Sequence, residues 1–435
     1  MGKRSFLVRQ SRSTVSALRI ACLGAALVGA IGFTPISRAA DASSGNWVGS
    51  WTAPAQPVWT ADFPVPLGMP SSLWKQTIRQ TARLSIGGSR VRIVLSNEYG
   101  KTPLNIGAAH IALAADNGAI KPGSDHAITF DGSASIVIPP GAPAVSDPVD
   151  FAVDPLSLVS VSLYLPDISP TTTIHWDGHQ TAYIAAGDKV ADVDFKADSK
   201  QTQRVFLTEI LVDAAPGARA IVAFGDSITD GDGSTVDGND RWPDRLAERF
   251  VKAGGPPVAV LNQGISGEKV LSDRMGVNAL ARFDRDILTQ PHADTVILMM
   301  GINDVGWPES GLALHDPEPT AEEIIEGYKQ LIDRAHVHGM RIIGATLTPF
   351  DDAFVGTPFE GYYTPDKEKI RVALNEFIRS GAFDGVIDFD KVIEDPQRPG
   401  HSQMTLNKGD HLHPNAAGYD AMGKAIDLRT LTTSK

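Results

Sequence analysis

Cysteine is almost absent from this sequence, which has one cysteine, Cys22, among its 435 residues. A single cysteine cannot form a disulfide within the chain, so the fold must be stabilised by its hydrophobic cores. The length and the 42% content of hydrophobic residues are sufficient for such cores. A chain of this length is typical of two or three domains.

The apolar run near the N-terminus is short for a membrane-spanning helix. Ile20–Phe33 has 14 residues, whereas a spanning helix needs about 20. The run follows a basic segment and precedes small residues at Ser37, Ala39 and Ala40. This order predicts that residues 1–40 are a secretory signal peptide cleaved near Ala40. An uncleaved anchor or a buried helix is the alternative, and the export route stays open.

Cleavage near Ala40 would also remove Cys22. The mature protein would then be secreted or periplasmic, and it would have neither a cysteine nucleophile nor a thiolate metal site. Three residues before Cys22 stands Arg19, where a lipoprotein signal would have leucine.

Basic residues are outnumbered: Lys and Arg total 39, Asp and Glu total 51, and the formal net charge is −12. Loss of residues 1–40 would lower this charge to −18, because that segment has six basic residues and no acidic one: Lys3, Arg4, Arg9, Arg12, Arg19 and Arg38. Such an acidic surface argues against nucleic acid or anionic lipid as a partner. We therefore expect no nucleic-acid partner and no stable membrane association.

Residues 46–213 show the pattern of a β-rich region. Runs such as Arg90–Asn97, Ser133–Gly141 and Leu158–Pro166 alternate apolar with polar residues, and Gly, Pro, Asn and Asp separate them. No convincing helical period is present. The pattern predicts an accessory domain with a β-sandwich or jelly-roll fold.

Residues 220–430 change to apolar runs that alternate with helical segments. The predicted strands are Ala220–Phe224, Val258–Leu261, Thr295–Met300, Arg341–Thr346 and Val386–Phe389. The predicted helices are Trp242–Ala253, Ala321–His338, Pro365–Arg379 and Asn415–Leu428. This alternation predicts an α/β fold with a doubly wound, flavodoxin-like parallel sheet in three layers. In such sheets, functional residues gather at the carboxyl ends of the strands.

Ser227 lies in "IVAFGDSITDG", directly after the first predicted strand of the sheet. Serine and aspartate are good helix N-caps, so capping is one explanation. A nucleophile is the other, because a helix start also offers backbone N–H groups to a ligand. The G-x-S-x-G elbow of the α/β-hydrolases is absent.

A nucleophilic serine needs a base, and "NKGDHLHPNAAGY" (407–419) offers His411 and His413. Asp410 lies three residues before His413, so its carboxylate can accept a hydrogen bond from one imidazole nitrogen and leave the other for Ser227. In the alternatives, Asp410 forms a turn while Asn415 caps the last helix, or the two histidines bind a metal. The metal site is disfavoured because no third ligand is evident, and His411 fits a structural role.

Acyl transfer also needs donors for the developing oxyanion. The backbone N–H of Ser227 is one candidate. Gly264 in "LNQGISG" and Asn303 in "MMGINDVG" follow the second and third strands of the predicted sheet, and they could supply a backbone N–H and a side-chain amide. Ordinary turn chemistry explains either residue equally well when it is taken alone.

Together, four segments in this order resemble the GDSL, or SGNH, hydrolase family: "GDSIT", "NQGISG", "GIND" and "GDHLHP". The resemblance covers about residues 220–428. It implies a serine esterase that needs no cofactor and no metal. By that resemblance, Ser227 is the nucleophile, His413 the base and Asp410 its orienting partner. The oxyanion hole would consist of the Ser227 N–H, the Gly264 N–H and the Asn303 side chain.

Two further segments, "GYKQLIDRAHVHGMRIIGATLTPF" and "GDHLHPNAAGYDAM", resemble the xylan-esterase-like branch, whose members often have an N-terminal β domain. The expected substrates are short acyl esters, above all acetyl groups, on a polysaccharide or oligosaccharide.

Two alternatives stay open for the function. One is a lipase or lysophospholipase, although the acidic, proline-rich segment 305–323 does not have the composition of an apolar lid. The other is a carbohydrate-binding protein with a vestigial hydrolase domain, in which tryptophans stack on sugar rings: Trp47, Trp51, Trp59, Trp74 and Trp176. Core packing is the simpler explanation for most of these tryptophans.

Overall fold

The structure is a computed structural model that describes residues 45–432. The predicted signal peptide lies outside the described residues. In the described part of the chain, none of the helices combines the length and the apolar character that a membrane span needs.

Residues 46–213, here called the N-terminal region, form antiparallel sheets. The two largest have strand orders β1-β17-β5-β10 and β15-β14-β4-β11-β7-β8. The strands of this region are β1 Trp47–Thr52, β2 Gln56–Pro57, β3 Ser72–Leu73, β4 Gln76–Arg83, β5 Val91–Ser96, β6 Leu104–Ile106, β7 Ala108–Leu113, β8 His126–Ile128, β9 Ile136–Ile138, β10 Pro143–Val145, β11 Leu158–Leu165, β12 Ser169–Pro170, β13 Thr173–His175, β14 Ala182–Ala186, β15 Ser199–Gln201, β16 Arg204–Val205 and β17 Leu207–Asp213. A 3₁₀ turn spans Asp116–Gly118.

Two of the three strands predicted from alternating residues lie close to strands of the structure, and the one predicted at 90–97 is β5. The predicted strand at 158–166 is β11, in which Val159, Val161 and Leu163 are buried. The strand predicted at 133–141 is much shorter, since β9 covers only Ile136–Ile138. Pro139 and Pro140 follow it, and proline has no N–H to donate to a neighbouring strand.

Residues 219–432, the C-terminal region, are built on a parallel sheet. Its strands are β18 Arg219–Gly225, β19 Val258–Gly264, β20 Ala293–Met299, β21 Arg341–Ala345 and β22 Val386–Ile387, in the order β19-β18-β20-β21-β22. All four pairings are parallel. This is the order of a flavodoxin-like sheet, and the order in which strands are added reverses between β18 and β20, where such folds bind ligands. A small hairpin of β23 Glu394–Asp395 and β24 Arg398–Ser402 lies outside this sheet.

Helices cover both faces of the parallel sheet. They are α1 Ser227–Asp230, α2 Trp242–Ala253, α3 Ala279–Phe283, α4 Ile302–Gly306, α5 Ala321–Val337, α6 Pro365–Arg379, α7 Phe389–Ile393, α8 Ala416–Ala425 and α9 Leu428–Thr432, with a π-helical turn at Asp284–Leu288 and a 3₁₀ turn at Met404–Leu406. Ile221 and Ala223 of β18 share a buried cluster with α2 and α8, whereas Val222 and Phe224 share one with α3 and α5. The predicted three-layer α/β fold is therefore confirmed.

Some predicted elements differ in extent. The last predicted helix, at 415–428, ends earlier and is α8, with Asn415 as its N-cap. The predicted strand at 386–389 ends at Ile387, because Asp388 caps α7 by accepting a hydrogen bond from the Lys391 N–H. Helix α3 was not predicted, because it is short and its residues show little of the apolar periodicity that indicates a helix.

The N-terminal and C-terminal regions share a core and direct hydrogen bonds. Val48 and Leu84 belong to the same buried cluster as Ala259 and Leu261. The Thr52 hydroxyl also donates to the Asn262 carbonyl, at 2.8 Å. The boundaries of the two predicted domains, 46–213 and 220–430, stay predictions.

Candidate active site

Ser227 is the first residue of α1 and is separated from the end of β18, at the carboxyl edge of the sheet, by one residue, Asp226. The N-cap of this helix is Asp226, whose side chain accepts a hydrogen bond from the Ile228 N–H at 3.0 Å. Capping therefore accounts for Asp226 and leaves the Ser227 hydroxyl free for another partner. Burial raises the pKa of Asp226 to about 7.

The Ser227 hydroxyl lies within hydrogen-bonding distance of His413, the predicted base. Its Oγ lies 2.8 Å from His413 Nε2, and His413 Nδ1 lies 2.6 Å from Asp410 Oδ2. Ser227 and His413 are each only 5% exposed. The structure thus brings together three side chains that come from two loops 186 residues apart, in the arrangement by which a serine is activated.

Both oxygens of the Asp410 carboxylate form hydrogen bonds within its own loop. Its Oδ1 accepts hydrogen bonds from the N–H groups of Leu412 and His413, at 3.0 and 2.9 Å, which makes the turn. Its Oδ2 is left to bind the imidazole. Asn415 caps α8 as well, so turn formation and orientation of His413 occur together in one loop.

The charges around His413 favour its protonated form. Burial opposes a charged imidazole, but the nearby carboxylates of Asp232 and Asp410 outweigh it, so the pKa of His413 is raised above its ordinary value, with Lys408 opposing the rise. The pKa of Asp410 is held far below its usual range, because its contacts with His413 and Lys408 outweigh its burial. Asp410 is therefore ionised wherever the protein is folded at ordinary pH.

Asn303 lies in α4, after β20, and its amide orientation is fixed by its neighbours. Its Oδ1 accepts hydrogen bonds from Trp307 Nε1 and from the Tyr362 hydroxyl, both at 2.8 Å. An indole N–H can only donate, so the atom facing it must be the amide oxygen. Asn303 Nδ2 donates to the Glu268 carbonyl at 2.9 Å, which leaves one N–H of the amide available.

Gly264 does not present a free N–H, because its N–H donates to Asn262 Oδ1 at 2.9 Å. A Cβ at this position would lie 2.3 Å from the backbone nitrogen of Asp230, so the glycine is explained by the close approach of β19 to α1. Three residues later, Gly267 has a positive φ of 75°, and its N–H has no partner in the described part of the chain. Sequence reasoning passed over Gly267, although "GISG" contains both glycines.

His411 lies apart from the Ser227–His413 pair. It groups with Asp351 and Asp352, and their potential ligand atoms lie within 4.8 Å of one another. His413 is already bonded to Ser227 and Asp410, so the two histidines do not share a metal site among the described residues.

The N-terminal region contacts the end of α1 and the loop after β19, which the sequence did not predict. His175 Nε2 lies 3.0 Å from Asp230 Oδ1, at the end of α1. Ser266 Oγ, in the loop after β19, lies 2.7 Å from Asp177 Oδ2, and the Ser266 N–H donates to Asp230. His179 Nε2 in turn lies 2.8 Å from Asp177 Oδ1. The segment 175–179 is therefore part of the surroundings of Ser227.

A row of aromatic rings runs from the N-terminal region to the Asn303 loop. Trp59 contacts Trp176 and Phe63 edge-on, with 5.6 and 5.7 Å between the ring centroids. Phe63 stacks on Trp307, with 5.6 Å between their centroids. Trp307 is the residue that donates to Asn303. The row therefore packs against the side chain that fixes the Asn303 amide.

The other candidate tryptophans differ in setting. Trp51 is buried under the Arg204 guanidinium, and Trp47 is partly buried with Arg92 lying 4.8 Å from its ring. Trp74 is 56% exposed. Packing thus accounts for Trp47 and Trp51, whereas Trp74 is the most exposed of the five tryptophans.

Comparison with known families agrees with this geometry. Residues 221–426 match the model described as GDSL-like lipase/acylhydrolase. The C-terminal region is a GDSL domain. This match confirms the resemblance carried by the four sequence motifs, and it supports a carboxylic ester hydrolase.

Solved structures similar to this chain align with about half of it. A carbohydrate acetylesterase family member from Sinorhizobium meliloti is 18% identical over 48% of this chain and 94% of its own, with a TM-score of 0.36. A lipase/acylhydrolase from Enterococcus faecalis is 22% identical over 48% and 92%, with a TM-score of 0.37. An acetyl xylan esterase is 18% identical over 49% and 100%, with a TM-score of 0.36. No curated protein matches the chain.

Proposed function

We propose that this protein hydrolyses carboxylic esters through an acyl-enzyme formed on Ser227. The observation that carries the proposal is the continuous hydrogen-bonded chain from Ser227 Oγ through His413 to Asp410, with distances of 2.8 and 2.6 Å. The GDSL domain match supports the same chemistry.

In the first half of the reaction, Ser227 Oγ attacks the ester carbonyl carbon while His413 Nε2 takes the hydroxyl proton. The Asp410 carboxylate holds Nδ1–H, so that the unprotonated nitrogen faces Ser227, and it stabilises the imidazolium that forms. The imidazolium then gives its proton to the departing alcohol oxygen. In the second half, His413 Nε2 takes a proton from a water molecule as its oxygen attacks the acyl carbon. The bond to Ser227 Oγ then breaks, the imidazolium returns the proton to Oγ, and the carboxylic acid leaves.

The oxyanion would be bound by the Ser227 N–H, the free N–H of the Asn303 amide and the Gly267 N–H. Gly267 replaces the predicted Gly264 in this proposal because the Gly264 N–H is already bonded to Asn262. As the first residue of α1, Ser227 has an N–H without an acceptor inside the helix. One such donor is typically worth about 2.7–4 kcal/mol of transition-state stabilisation.

We further propose that the acyl group is short, with acetyl on a carbohydrate as the leading candidate. The resemblance to xylan-esterase-like enzymes supports this choice. The low exposure of Ser227 and His413 also supports it, because little open surface is left beside the nucleophile for a long acyl chain. We propose export after cleavage near Ala40, on the basis of the sequence of residues 1–40.

A series of p-nitrophenyl esters with acyl chains of two to twelve carbons tests the acyl preference. We expect kcat/KM to be highest for acetate or propionate and to fall by about tenfold or more at eight carbons, since a pocket too small for added methylenes rejects them sterically. Steady-state release of p-nitrophenol measures this directly. A maximum at eight carbons or more would contradict the short-acyl proposal and favour the lipase alternative.

A further inference from the structure

Three polar side chains lie close to the Ser227–His413 pair but take no part in the proton transfers described above. Asp177 and His179 belong to the N-terminal region, and Asp232 follows α1 in the GDSL domain. One potential ligand atom of each lies within 4.8 Å of those of the other two. These three residues are called the polar cluster below.

The polar cluster borders the catalytic nitrogen of the proposed base. Asp232 Oδ2 lies 3.5 Å from His413 Nε2, the same atom that contacts Ser227 Oγ. In the proposed reaction this nitrogen gives its proton to the departing alcohol. The alcohol half of the ester must therefore lie beside His413 Nε2, within reach of groups that border that nitrogen.

The polar cluster is more accessible than the nucleophile. The side chain of Asp232 is 29% exposed, and those of Asp177 and His179 are 16% and 13% exposed, whereas Ser227 is 5% exposed. A substrate that reaches Ser227 from this side passes along the cluster before its carbonyl carbon meets the hydroxyl.

The cluster offers hydrogen-bond acceptors to an alcohol, and His179 Nδ1 also offers a donor when the imidazole is protonated. The two carboxylates accept hydrogen bonds from hydroxyl groups. His179 Nδ1 is buried and has no partner in the described part of the chain, and an unsatisfied buried nitrogen of this kind gains free energy when a ligand hydroxyl binds it. Lys408 Nζ lies 2.5 Å from Asp232 Oδ1 and offsets part of the negative charge of that carboxylate.

We propose that Asp177 and His179 bind the alcohol half of the ester, and that this alcohol has several free hydroxyl groups, as a sugar has. The inference rests on the proposed esterase function. It also gives the N-terminal region a role, since this region then determines specificity for the alcohol. The sequence motifs all lie in residues 221–426, whereas Asp177 and His179 lie outside this range. The motifs therefore give no indication of this role.

Two acetates with the same three-carbon chain test the proposal: propyl acetate, which has no hydroxyl, and glycerol 1-monoacetate, which has two. The variant is His179→Asn, because the φ of 44° at His179 is tolerated by asparagine more readily than by most residues. The matched control is His110→Asn. His110 forms a similar pair with Asp125, at 2.8 Å, elsewhere in the N-terminal region.

We expect kcat/KM of the unchanged protein to be higher for glycerol 1-monoacetate than for propyl acetate. His179→Asn should lower kcat/KM for the hydroxylated ester by about tenfold, chiefly through KM, and should lower it for propyl acetate by at most about threefold. His110→Asn should change neither value. Thermal unfolding of each variant shows whether it has folded.

Equal losses on both esters, or no loss on either, in a folded His179→Asn protein would overturn the inference while leaving the esterase proposal intact. A loss of activity on treatment with a chelator, restored by a divalent cation, would assign the polar cluster to a metal and overturn the inference too. Absence of hydrolysis of every ester by the unchanged protein would overturn the proposed function instead.

Discussion

Ser227→Ala is expected to abolish ester hydrolysis, with kcat on p-nitrophenyl acetate reduced by about 10⁶-fold, to a rate set by residual stabilisation in the site. The reason is that Ser227 Oγ is the group aligned with His413 Nε2, at 2.8 Å, and alanine has no atom that can form the acyl-enzyme. Initial rates of p-nitrophenol release measure the loss.

The fold should tolerate this substitution. Among residues 45–432, the side-chain oxygen of Ser227 bonds only to His413, and the helix is capped by Asp226 rather than by the serine. Ser380→Ala is a suitable control, because this exposed serine also donates one hydrogen bond and lies at the end of α6. The control should keep full activity. A rate for Ser227→Ala within tenfold of the unchanged protein would contradict the assigned nucleophile.

Asp410→Asn should lower kcat by about 10⁴-fold. The asparagine oxygen can still accept the N–H groups of Leu412 and His413, so the turn is kept. Its amide group then faces His413 Nδ1 and donates to it. This places the imidazole proton on Nε2, where it faces Ser227, and the ring can no longer act as a base. Circular dichroism and kcat together separate this effect from a loss of structure.

The pH profile provides a second readout of the same variant. His413 must be neutral to accept the Ser227 proton, so kcat/KM of the unchanged protein should decline as pH falls through the raised pKa of His413. Removing the Asp410 charge takes away one of the two carboxylates that hold this pKa up, so the acid limb should move to lower pH. An acid limb that stays in place, with kcat unchanged, would mean that Asp410 does not act on His413.

The strands of the parallel sheet were predictable because their residues carry one simple signal. Ile221 to Phe224 are apolar without interruption, as a strand buried on both faces must be, and the structure places β18 there. The polar loops after such strands, with Ser227 and Asn303, could then be placed at one edge of the sheet without knowledge of any tertiary contact.

The donor that we propose from the loop after β19 was harder to predict. "GISG" has glycines at 264 and 267, and either could bring a backbone N–H close to a ligand. Only the structure shows that Asn262 occupies the Gly264 N–H and that Asp230 packs against Gly264. A side chain that folds back on its own loop leaves no mark in the spacing of residues.

The contacts between the N-terminal region and the surroundings of Ser227 could not be predicted from the sequence. Asp177 reaches Ser266, and His175 reaches Asp230, across contacts that join distant parts of the chain. Such contacts depend on how two separately patterned regions pack together. Hydrophobic periodicity predicts which face of each element is buried. It does not predict which loop of one region will contact the residues around Ser227 in the other.

The most direct test of the central claim is to find the residue that becomes covalently modified. The protein is treated with a small fluorophosphonate, digested and analysed by tandem mass spectrometry, with Ser227→Ala treated in parallel. The acyl-enzyme account predicts one phosphonyl adduct per chain, on Ser227, and none on the variant. An adduct on another residue, or an unmodified Ser227 in a protein that hydrolyses esters, would contradict it.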